Sequence, residues 1–155
     1  MKLIILGVGG MGAITLSKMI AQMAINRNLH VKSSEIHGMA KKGGLVEVQM
    51  KIGEGTSGVV LQHEADISIA FKDEFRKYAT AFLKQGGKLV IFKDKVINDF
   101  VREFKDIRYI SSFALGVFVR YQNIFTKEDA YKIIGNLKNR ELNLKAFEKG
   151  VEYDF

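Results

Sequence analysis

The sequence predicts an α/β protein with a Rossmann-like, doubly wound and mostly parallel sheet, helices on both faces and a helical C-terminal tail. Short aliphatic runs, such as Lys2–Leu6 and Lys88–Phe92, are typical of strands that are buried on both faces. These runs alternate with stretches such as Gly9–Arg27, in which apolar residues recur at helical spacing. A glycine-rich turn joins the first strand to the first helix, as it does in dinucleotide-binding folds.

Further strands and helices continue this alternation along the chain. The second strand completes a β-α-β unit over residues 1–36, whose crossover is expected to be right-handed. Leu45–Ile52 alternates apolar and polar residues, which indicates a half-exposed, antiparallel strand. The other predicted strands are Leu29–Ser34, Asp66–Phe71 and Ile107–Ile110. The other predicted helices are Asp73–Lys84 with Gly86-Gly87 as its stop, Val96–Phe104, Ala114–Tyr121, a helix that begins at Thr126, and Leu142–Lys149, which Gly150 ends.

Length and composition indicate one globular domain over residues 1–155. Apolar residues make up 47% of the chain and charged residues 26%. The absence of cysteine excludes disulfides, thiolate metal sites and iron–sulfur ligation by this chain. No apolar run reaches membrane-spanning length, and Gly7 interrupts the first apolar run before a signal-peptide core can form. We therefore expect a cytoplasmic protein with no membrane partner.

The net charge of +7 raises the question of nucleic-acid binding. The basic excess is spread along the chain, without a basic arm or an aromatic–arginine platform. A solvated surface explains this distribution better, and no nucleic-acid partner is predicted. A moderate attraction for anionic ligands or for an acidic partner remains open.

The glycine turn Gly7-Val8-Gly9-Gly10-Met11-Gly12 is the first candidate site. Glycine adopts positive φ freely and allows close backbone approach. A strand, a glycine turn and a helix in succession bring unpaired N–H groups and a helix dipole to one point, which favours an anion. The spacing Gly7-x-Gly9-x-x-Gly12 is that of the dinucleotide fingerprint. We predict that Gly7, Gly9, Gly10 and Gly12 hold a phosphate; the alternative is that they serve close strand–helix packing.

The segment Ser34–Gly44 is the second candidate site, because it begins where the second strand ends. Glu35 lies 23 residues beyond Gly12, slightly late for the acidic residue that binds a nicotinamide ribose, so a structural or interface role is the alternative. His37 is either a functional group or a loop histidine with local hydrogen bonds. Lys41, Lys42 and Gly43 could clamp a phosphate or carboxylate, or the lysines could be solvated in a turn.

A complete catalytic set is missing from the sequence. No nucleophile elbow precedes a Ser/His/Asp order, and no His/Asp/Glu group has metal-ligand spacing, so no metal site is predicted. The thiamine-diphosphate motif is absent, and no P-loop lysine follows the glycines, since Ala13 comes after Gly12.

Two motifs together resemble the gamma subunit or gamma domain of 2-oxoacid:ferredoxin oxidoreductases, in particular the small (beta) subunit of indolepyruvate ferredoxin oxidoreductases. The first is the glycine turn. The second, far more specific, is Ser34-Glu35-x-His37-Gly38-Met39-Ala40-x-x-Gly43-Gly44. The likeness continues through Ala65-Asp66-Ile67, Leu83-Lys84-Gln85-Gly86-Gly87, Ala114-Leu115-Gly116 and Asn143-Leu144-Lys145-Ala146-Phe147-Glu148-x-Gly150. Met11 and Lys42 depart from the usual pattern of Gln and Arg at these positions.

The resemblance implies a non-autonomous subunit with a Rossmann-like fold. In this family the thiamine diphosphate, its Mg ion and the 4Fe-4S clusters are held by partner subunits, so no cofactor is expected on this chain alone. The complete enzyme oxidatively decarboxylates a 2-oxoacid such as indolepyruvate, forms an acyl-CoA and passes electrons to ferredoxin. The chain is then expected to be inactive alone and to join a hetero-oligomer, and a homodimer is one possible state of the isolated chain.

The resemblance also implies positions for the candidate residues. The turn Gly7–Gly12 and the pair Lys41 and Lys42 would lie near coenzyme A phosphates or a partner subunit. His37 and Glu35 would face the shared active-site region and support catalysis. The alternative function, suggested by the glycine spacing alone, is a stand-alone nicotinamide-dinucleotide-binding oxidoreductase or redox sensor.

Overall fold

The computed structural model describes residues 1–38, 44–53, 55 and 57–155. It contains a five-stranded mixed sheet in the order β2-β3-β1-β4-β5. The strands are β1 (Lys2–Val8), β2 (Val31–His37), β3 (Leu45–Ile52), β4 (Ala65–Ala70) and β5 (Leu83–Ile91). The helices are α1 (Ala13–Asn26), α2 (Arg76–Phe82), α3 (Asp94–Phe104), α4 (Ile110–Arg120), α5 (Lys127–Ile134) and α6 (Arg140–Glu152). None of the helices in these described ranges is both long and apolar enough to cross a bilayer.

The predicted fold class is confirmed, with helices on both sides of an α/β sheet and a C-terminal helix. The sheet is more evenly mixed than the sequence suggests. β1 pairs with β4 and β4 with β5 in parallel, whereas β3 runs antiparallel to both β1 and β2. The antiparallel character predicted for Leu45–Ile52 is therefore confirmed. β3 lies between β1 and β2, so the two strands of the predicted β-α-β unit are not neighbours.

Several local predictions are wrong. Leu45–Ile52 is not half-exposed, since six of its eight residues are buried between β1 and β2 and under the covering elements. The second strand does not end at Ser34 but continues to His37. Ile107–Ile110 is not a strand: Ile107–Tyr109 forms a 3₁₀ turn that leads into α4. Gly86-Gly87 does not stop a helix, because α2 already ends at Phe82 and the two glycines lie inside β5. Gly150 does not end the last helix, since α6 continues to Glu152. In each case tertiary packing overrides a local signal that is real but not decisive.

The two faces of the sheet are covered very differently. The face that carries Leu3, Ile5, Val48 and Ile69, here called the first face, shares one large core with α1, α3, α4, α5 and α6. The opposite face, which carries Ile4, Leu6, Ala70 and Ile91 and is here called the second face, packs against α2 and Val60 in a small separate cluster. Three buried polar residues of the strands share the second face: Glu47, Gln49 and Ser68.

Helices α4 and α6 cross at a point where backbone nearly touches backbone. A Cβ added to Gly116 would lie 2.1 Å from the Phe147 carbonyl oxygen, and one added to Gly150 would lie 2.0 Å from the Phe113 carbonyl oxygen. Only glycine permits this approach, which explains why Gly150 occurs inside a helix.

Candidate functional site

The turn after β1 presents the N-terminus of α1. Gly10 and Gly12 have φ values of 83° and 88°, in the left-handed region that glycine adopts without strain. Gly12 is the N-cap of α1, and neither a side-chain cap nor an acidic residue is present in the first turn of the helix. The first N–H groups of α1 and the positive end of its dipole are therefore available to an anion.

The four predicted glycines divide into two pairs with different tasks. A Cβ on Gly7 would lie 2.9 Å from the Cβ of Ala13, and a Cβ on Gly12 would lie 3.1 Å from Cγ2 of Ile110. Gly9 and Gly10 are exposed, and a Cβ on either would meet nothing within 4 Å. Close packing explains Gly7 and Gly12, whereas Gly9 and Gly10 lie on the open side, where phosphate binding stays a prediction.

A cavity of about 350 Å³ opens at this turn. Its walls include Gly9, Gly10 and Thr15 from the turn and α1, Val46 from β3, and Arg108 and Ser111 from the segment before and within α4. The cavity thus combines helix N–H groups with one guanidinium, which is the donor set that suits a phosphate or carboxylate.

Arg108 is the residue of this cavity that the sequence did not reveal. Its Nε and Nη2 donate to Oδ2 of Asp106 at 2.9 and 2.7 Å, while its side chain is 82% exposed. These hydrogen bonds lower the pKa of Asp106, so the carboxylate holds the guanidinium at the mouth of the cavity. The backbone N–H of Arg108 also donates to Asp106, an Asx turn that the Asp-x-Arg pattern could have indicated.

Glu35 and His37 lie beside this cavity and do not line it. In β2, Glu35 pairs with Val48 and His37 with Val46, and Val46 in turn pairs with Gly7 of β1. His37 is therefore two strand spacings from Gly7, about 10 Å. Both side chains are exposed, and Nε2 of His37 is 3.5 Å from Oε1 of Glu35. The structure brings the two residues together but separates them from the turn.

The predicted residues Lys41, Lys42 and Gly43 lie outside the described residues. The described ends of that connection are at the same sheet edge as the glycine turn. The backbone N–H of Gly38 donates to Leu45, and Leu45 pairs with Val8 at the end of β1. The end of Ser34–Gly44 therefore lies next to the turn, whereas its start does not, because Ser34 pairs with Gln49 in the middle of β2. Within the described ranges, no group of three His, Cys, Asp or Glu side chains could hold a metal.

The fold is the one found in solved gamma subunits of this class of oxidoreductase. A keto/oxoacid ferredoxin oxidoreductase gamma subunit from Geobacter sulfurreducens matches 97% of this chain and 96% of its own length, with a TM-score of 0.78 and 24% identity. A 2-oxoglutarate:ferredoxin oxidoreductase from Magnetococcus marinus, solved with 2-oxoglutarate, coenzyme A and succinyl-CoA, matches 97% of this chain and 30% of its own. The TM-score is 0.76 and the identity 19%, so this likeness concerns the fold alone.

The sequence pattern of the family described as pyruvate ferredoxin/flavodoxin oxidoreductase matches residues 2–153. The chain belongs to this family, which confirms the resemblance carried by the two motifs.

Among curated relatives, the indolepyruvate oxidoreductase subunit IorB of Archaeoglobus fulgidus is 37% identical over 98 residues, which are 63% of this chain and 48% of that protein. The subunit of the same name from Methanothermobacter thermautotrophicus is 42% identical over 66 residues, 43% of this chain and 34% of that protein. The chain spans half the length or less of these relatives.

Proposed function

We propose that this chain is a non-autonomous, cytoplasmic subunit of a 2-oxoacid:ferredoxin oxidoreductase, with residues 1–155 forming one gamma-type domain. The observation that carries this proposal is the family match over residues 2–153, together with relatives named as indolepyruvate oxidoreductase subunits. The complex would convert a 2-oxoacid such as indolepyruvate, with coenzyme A, into an acyl-CoA and CO₂, and ferredoxin would receive the two electrons.

The partner subunits would hold the thiamine diphosphate, the Mg ion and the 4Fe-4S clusters. The role of this chain would be to complete the subunit interface and the coenzyme A region, and the chain alone would be inactive. A homodimer is one possible state of the chain when it is isolated from its partners. A cysteine-free chain suits this division of labour, since it contributes no thiolate to a cluster.

The glycine-turn cavity is the proposed place for a phosphate of coenzyme A. The uncapped first turn of α1, the open surface at Gly9 and Gly10, and the guanidinium of Arg108 supply N–H donors and positive charge to one space. Lys41, Lys42 and Gly43 are proposed to add to this site from the adjoining connection. In this arrangement Arg108 would exchange its contact with Asp106 for a contact with the phosphate.

His37 and Glu35 are proposed to face the active-site region that the chain shares with its partner. They lie on β2, an edge strand of the sheet, with exposed side chains on the same side as the cavity. This position suits a supporting role at an interface, where the pair would orient groups of the partner.

A stand-alone nicotinamide-binding enzyme is the second candidate, and the glycine spacing favours it. The sheet order argues against it. In the dinucleotide fold an acidic residue follows the glycines by about twenty positions and contacts the ribose at the pyrophosphate site. Here β3 separates β2 from β1, and Glu35 pairs with Val48, which is level with Ile5 in mid-strand.

Affinity purification from the native cell tests the subunit assignment. A tagged copy of this chain should recover a thiamine-diphosphate-binding, iron–sulfur-containing chain in stoichiometric amount. Recovery of the tagged chain only as a monomer or homodimer would contradict the proposal.

Calorimetric titration of the complex with coenzyme A tests the cavity. We expect Arg108→Gln to weaken the affinity about tenfold, since a charge-assisted contact is lost. Arg102→Gln is the matched control, because Arg102 of α3 makes a similar exposed contact with Asp99 and does not line the cavity. Tight binding of NAD(H) by the isolated chain would favour the second candidate instead.

A further inference from the structure

A row of three lysines crosses the second face of the sheet. The register pairs Lys32 of β2 with Lys51 of β3, and Lys51 with Lys2 of β1. Side chains directly opposite one another in a sheet have Cβ atoms about 5 Å apart. Three neighbouring strands therefore present three ammonium groups side by side, at the end of the sheet opposite the glycine turn.

The charges of this lysine row are only partly balanced by the described carboxylates. Nζ of Lys2 lies 3.5 Å from Oε1 of Glu64. Asp66 accepts the backbone N–H of Lys2 and forms an ion pair with Lys84. The N–H of Leu61 and the charges of Lys2 and Lys51 lower the pKa of Glu64, so this carboxylate is shared by two lysines of the row. Neither Lys32 nor Lys51 has a carboxylate within ion-pair distance in the part of the chain that the structure describes. Like charges placed directly opposite each other destabilise a sheet, so the row costs the free chain stability.

The surroundings of the row suit a protein surface. Val59 and Leu61, 48% and 61% exposed, lie on the segment that crosses this face. That segment is attached near the row, since the N–H of Leu61 donates to Glu64, the partner of Lys2. Cationic groups beside exposed aliphatic side chains form the mixture of polar rim and apolar contact that protein interfaces use.

The positive surface continues around the end of the sheet. Met1, Ile52 and Gly53, chain neighbours of Lys2 and Lys51, line an open basin of about 850 Å³. Lys84, Lys88 and Arg120 also line this basin, together with Asp66, which pairs with Lys84.

We propose that this lysine row is a docking surface for an acidic patch of the thiamine-binding partner subunit. The identity of that partner rests on the proposed function, whereas the acidic chemistry follows from the row itself. Carboxylates of the partner would form ion pairs with Lys32 and Lys51, and the aliphatic side chains of Val59 and Leu61 would pack against its apolar atoms. The contact would then steer assembly and depend on ionic strength.

A protein partner explains the row better than a nucleic acid does. The row is short, about 10 Å across three strands, and its exposed apolar neighbours Val59 and Leu61 are aliphatic. Nucleic-acid grooves combine a longer basic track with aromatic side chains on which bases stack.

Salt-dependent dissociation of the tagged complex, purified from the native cell, tests the inference. The double variant Lys32→Gln/Lys51→Gln removes two charges of the row. The matched control Lys132→Gln/Lys138→Gln also removes two exposed charges, one within α5 and one shortly after it. At low salt the row variant should bind its partner about three- to tenfold more weakly than wild type or control, and the difference should vanish near about 0.5 M salt.

Zero-length carbodiimide coupling, which joins an ammonium to a touching carboxylate, supplies the second readout. In wild-type complex, Lys32 or Lys51 should be coupled to a carboxylate of the partner. If the complex forms and all three proteins behave alike, or if these lysines couple only within this chain or to a second copy of it, the inference is wrong while the proposed function stands. Nuclease-sensitive association would assign the row to nucleic acid. Absence of any thiamine-binding chain would overturn both.

Discussion

The two faces of the sheet are built on opposite principles. The first face is mainly apolar from β3 to β5 and is covered by α1 and α4, and α4 packs on both α1 and α6. The second face includes a carboxylate, an amide and a hydroxyl among its buried side chains, and α2 and a single segment cover it. A closely packed face is destabilised by substitutions that change side-chain volume, whereas a polar face depends on individual hydrogen bonds.

The polar side chains on the second face hold α2 and the segment at Val60, which otherwise share only a small apolar cluster with the sheet. Tyr78 of α2 donates to Glu47 at 2.6 Å, and the side-chain amide of Gln49 donates to the same carboxylate at 2.5 Å. Oε1 of Gln49 accepts the backbone N–H of Val60 at 2.8 Å. Through Glu47 and Gln49 the sheet therefore holds both α2 and the segment before β4. We expect the first face to dominate stability and the second to fix the position of its covering elements.

The largest effect should come from the helix crossing over the first face. Gly116→Ala would place a methyl group 2.1 Å from the carbonyl oxygen of Phe147, where backbone surrounds it on both sides. We expect a loss of about 3 kcal/mol or more in the free energy of unfolding, measured by urea denaturation. Gly9→Ala is the control, since nothing lies within 4 Å of its Cβ, and it should change stability by less than about 0.5 kcal/mol. Equal stability of the two variants would show that the crossing is loose.

The sequence predicts some parts of this fold much better than others. The apolar runs of β1 and β4 and the helical spacing of α1 predict elements of the first face within a few residues, because burial imposes a period that can be read locally. Ile107–Ile110 misleads, since a short apolar run does not distinguish a strand from a buried helix start. The insertion of β3 between β1 and β2 could not be predicted, because long-range register leaves no local pattern.

Only the part of the candidate site that depends on a local sequence signal was predicted. The glycine turn is a local signal, and its position at the start of α1 is confirmed. Arg108 reaches the cavity through the packing of α4 against α1, so nothing near Gly12 in the sequence points to it. Glu35 and His37 were expected to follow the second strand but lie within it, because β2 extends to His37, and the intervening strand β3 separates them from the turn.

The second-largest effect concerns Asp129, which fastens α5 to α1 on the first face. Burial opposes ionisation of this carboxyl, but hydrogen bonds from Arg27 and Thr126 lower its pKa overall. Asp129→Asn should cost about 1–2 kcal/mol at neutral pH, since the capping box and the ion pair are both weakened. Because the pKa is lowered in the folded state, this advantage of wild type is present above about pH 4 and is lost as the pH falls further.

Parallel urea titrations of both proteins at neutral and acidic pH check the Asp129 prediction. Asp99→Asn serves as control, because Asp99 makes comparable contacts with Lys95 and Arg102 on an exposed helix face and should matter far less. A wild-type advantage that persisted unchanged at low pH would contradict the assignment to the ionised carboxylate.

A smaller effect should follow from Tyr78→Phe on the second face. The variant removes one donor to Glu47, and because the phenol is 42% exposed we expect a loss of only about 1 kcal/mol. Burial and then the hydrogen bond to Glu47 raise the pKa of Tyr78 to about 12. A pKa raised by folding gives stability that is complete below about pH 10 and is lost as the pH rises toward the folded value.

The difference in unfolding free energy between wild type and Tyr78→Phe should therefore shrink at alkaline pH. Taking the difference cancels Tyr131, whose pKa is also raised to about 12 by Glu148 and burial and which both proteins retain. If this difference in unfolding free energy stays constant between about pH 8 and pH 11, folding does not raise the pKa of Tyr78.

The smallest expected effect is a change in the free energy of unfolding whose sign differs between the two faces. Ser68 and Ser112 are both fully buried serines, the first on the second face and the second in α4 over the first face. Oγ of Ser112 donates to Oδ1 of Asn143 at 2.6 Å, whereas Oγ of Ser68 has no hydrogen-bond partner among the described residues. Ser112→Ala should cost about 1 kcal/mol, because it leaves the Asn143 oxygen unpaired. Ser68→Ala should be neutral or stabilise by up to about 1 kcal/mol, since it removes a hydroxyl that loses its hydrogen bonds to water on folding and gains none in return.

Urea denaturation of the two variants makes this comparison, because both replace a buried serine by alanine. A loss at Ser68 as large as that at Ser112 would mean that its hydroxyl is bonded after all, and that the second face is as completely satisfied as the first.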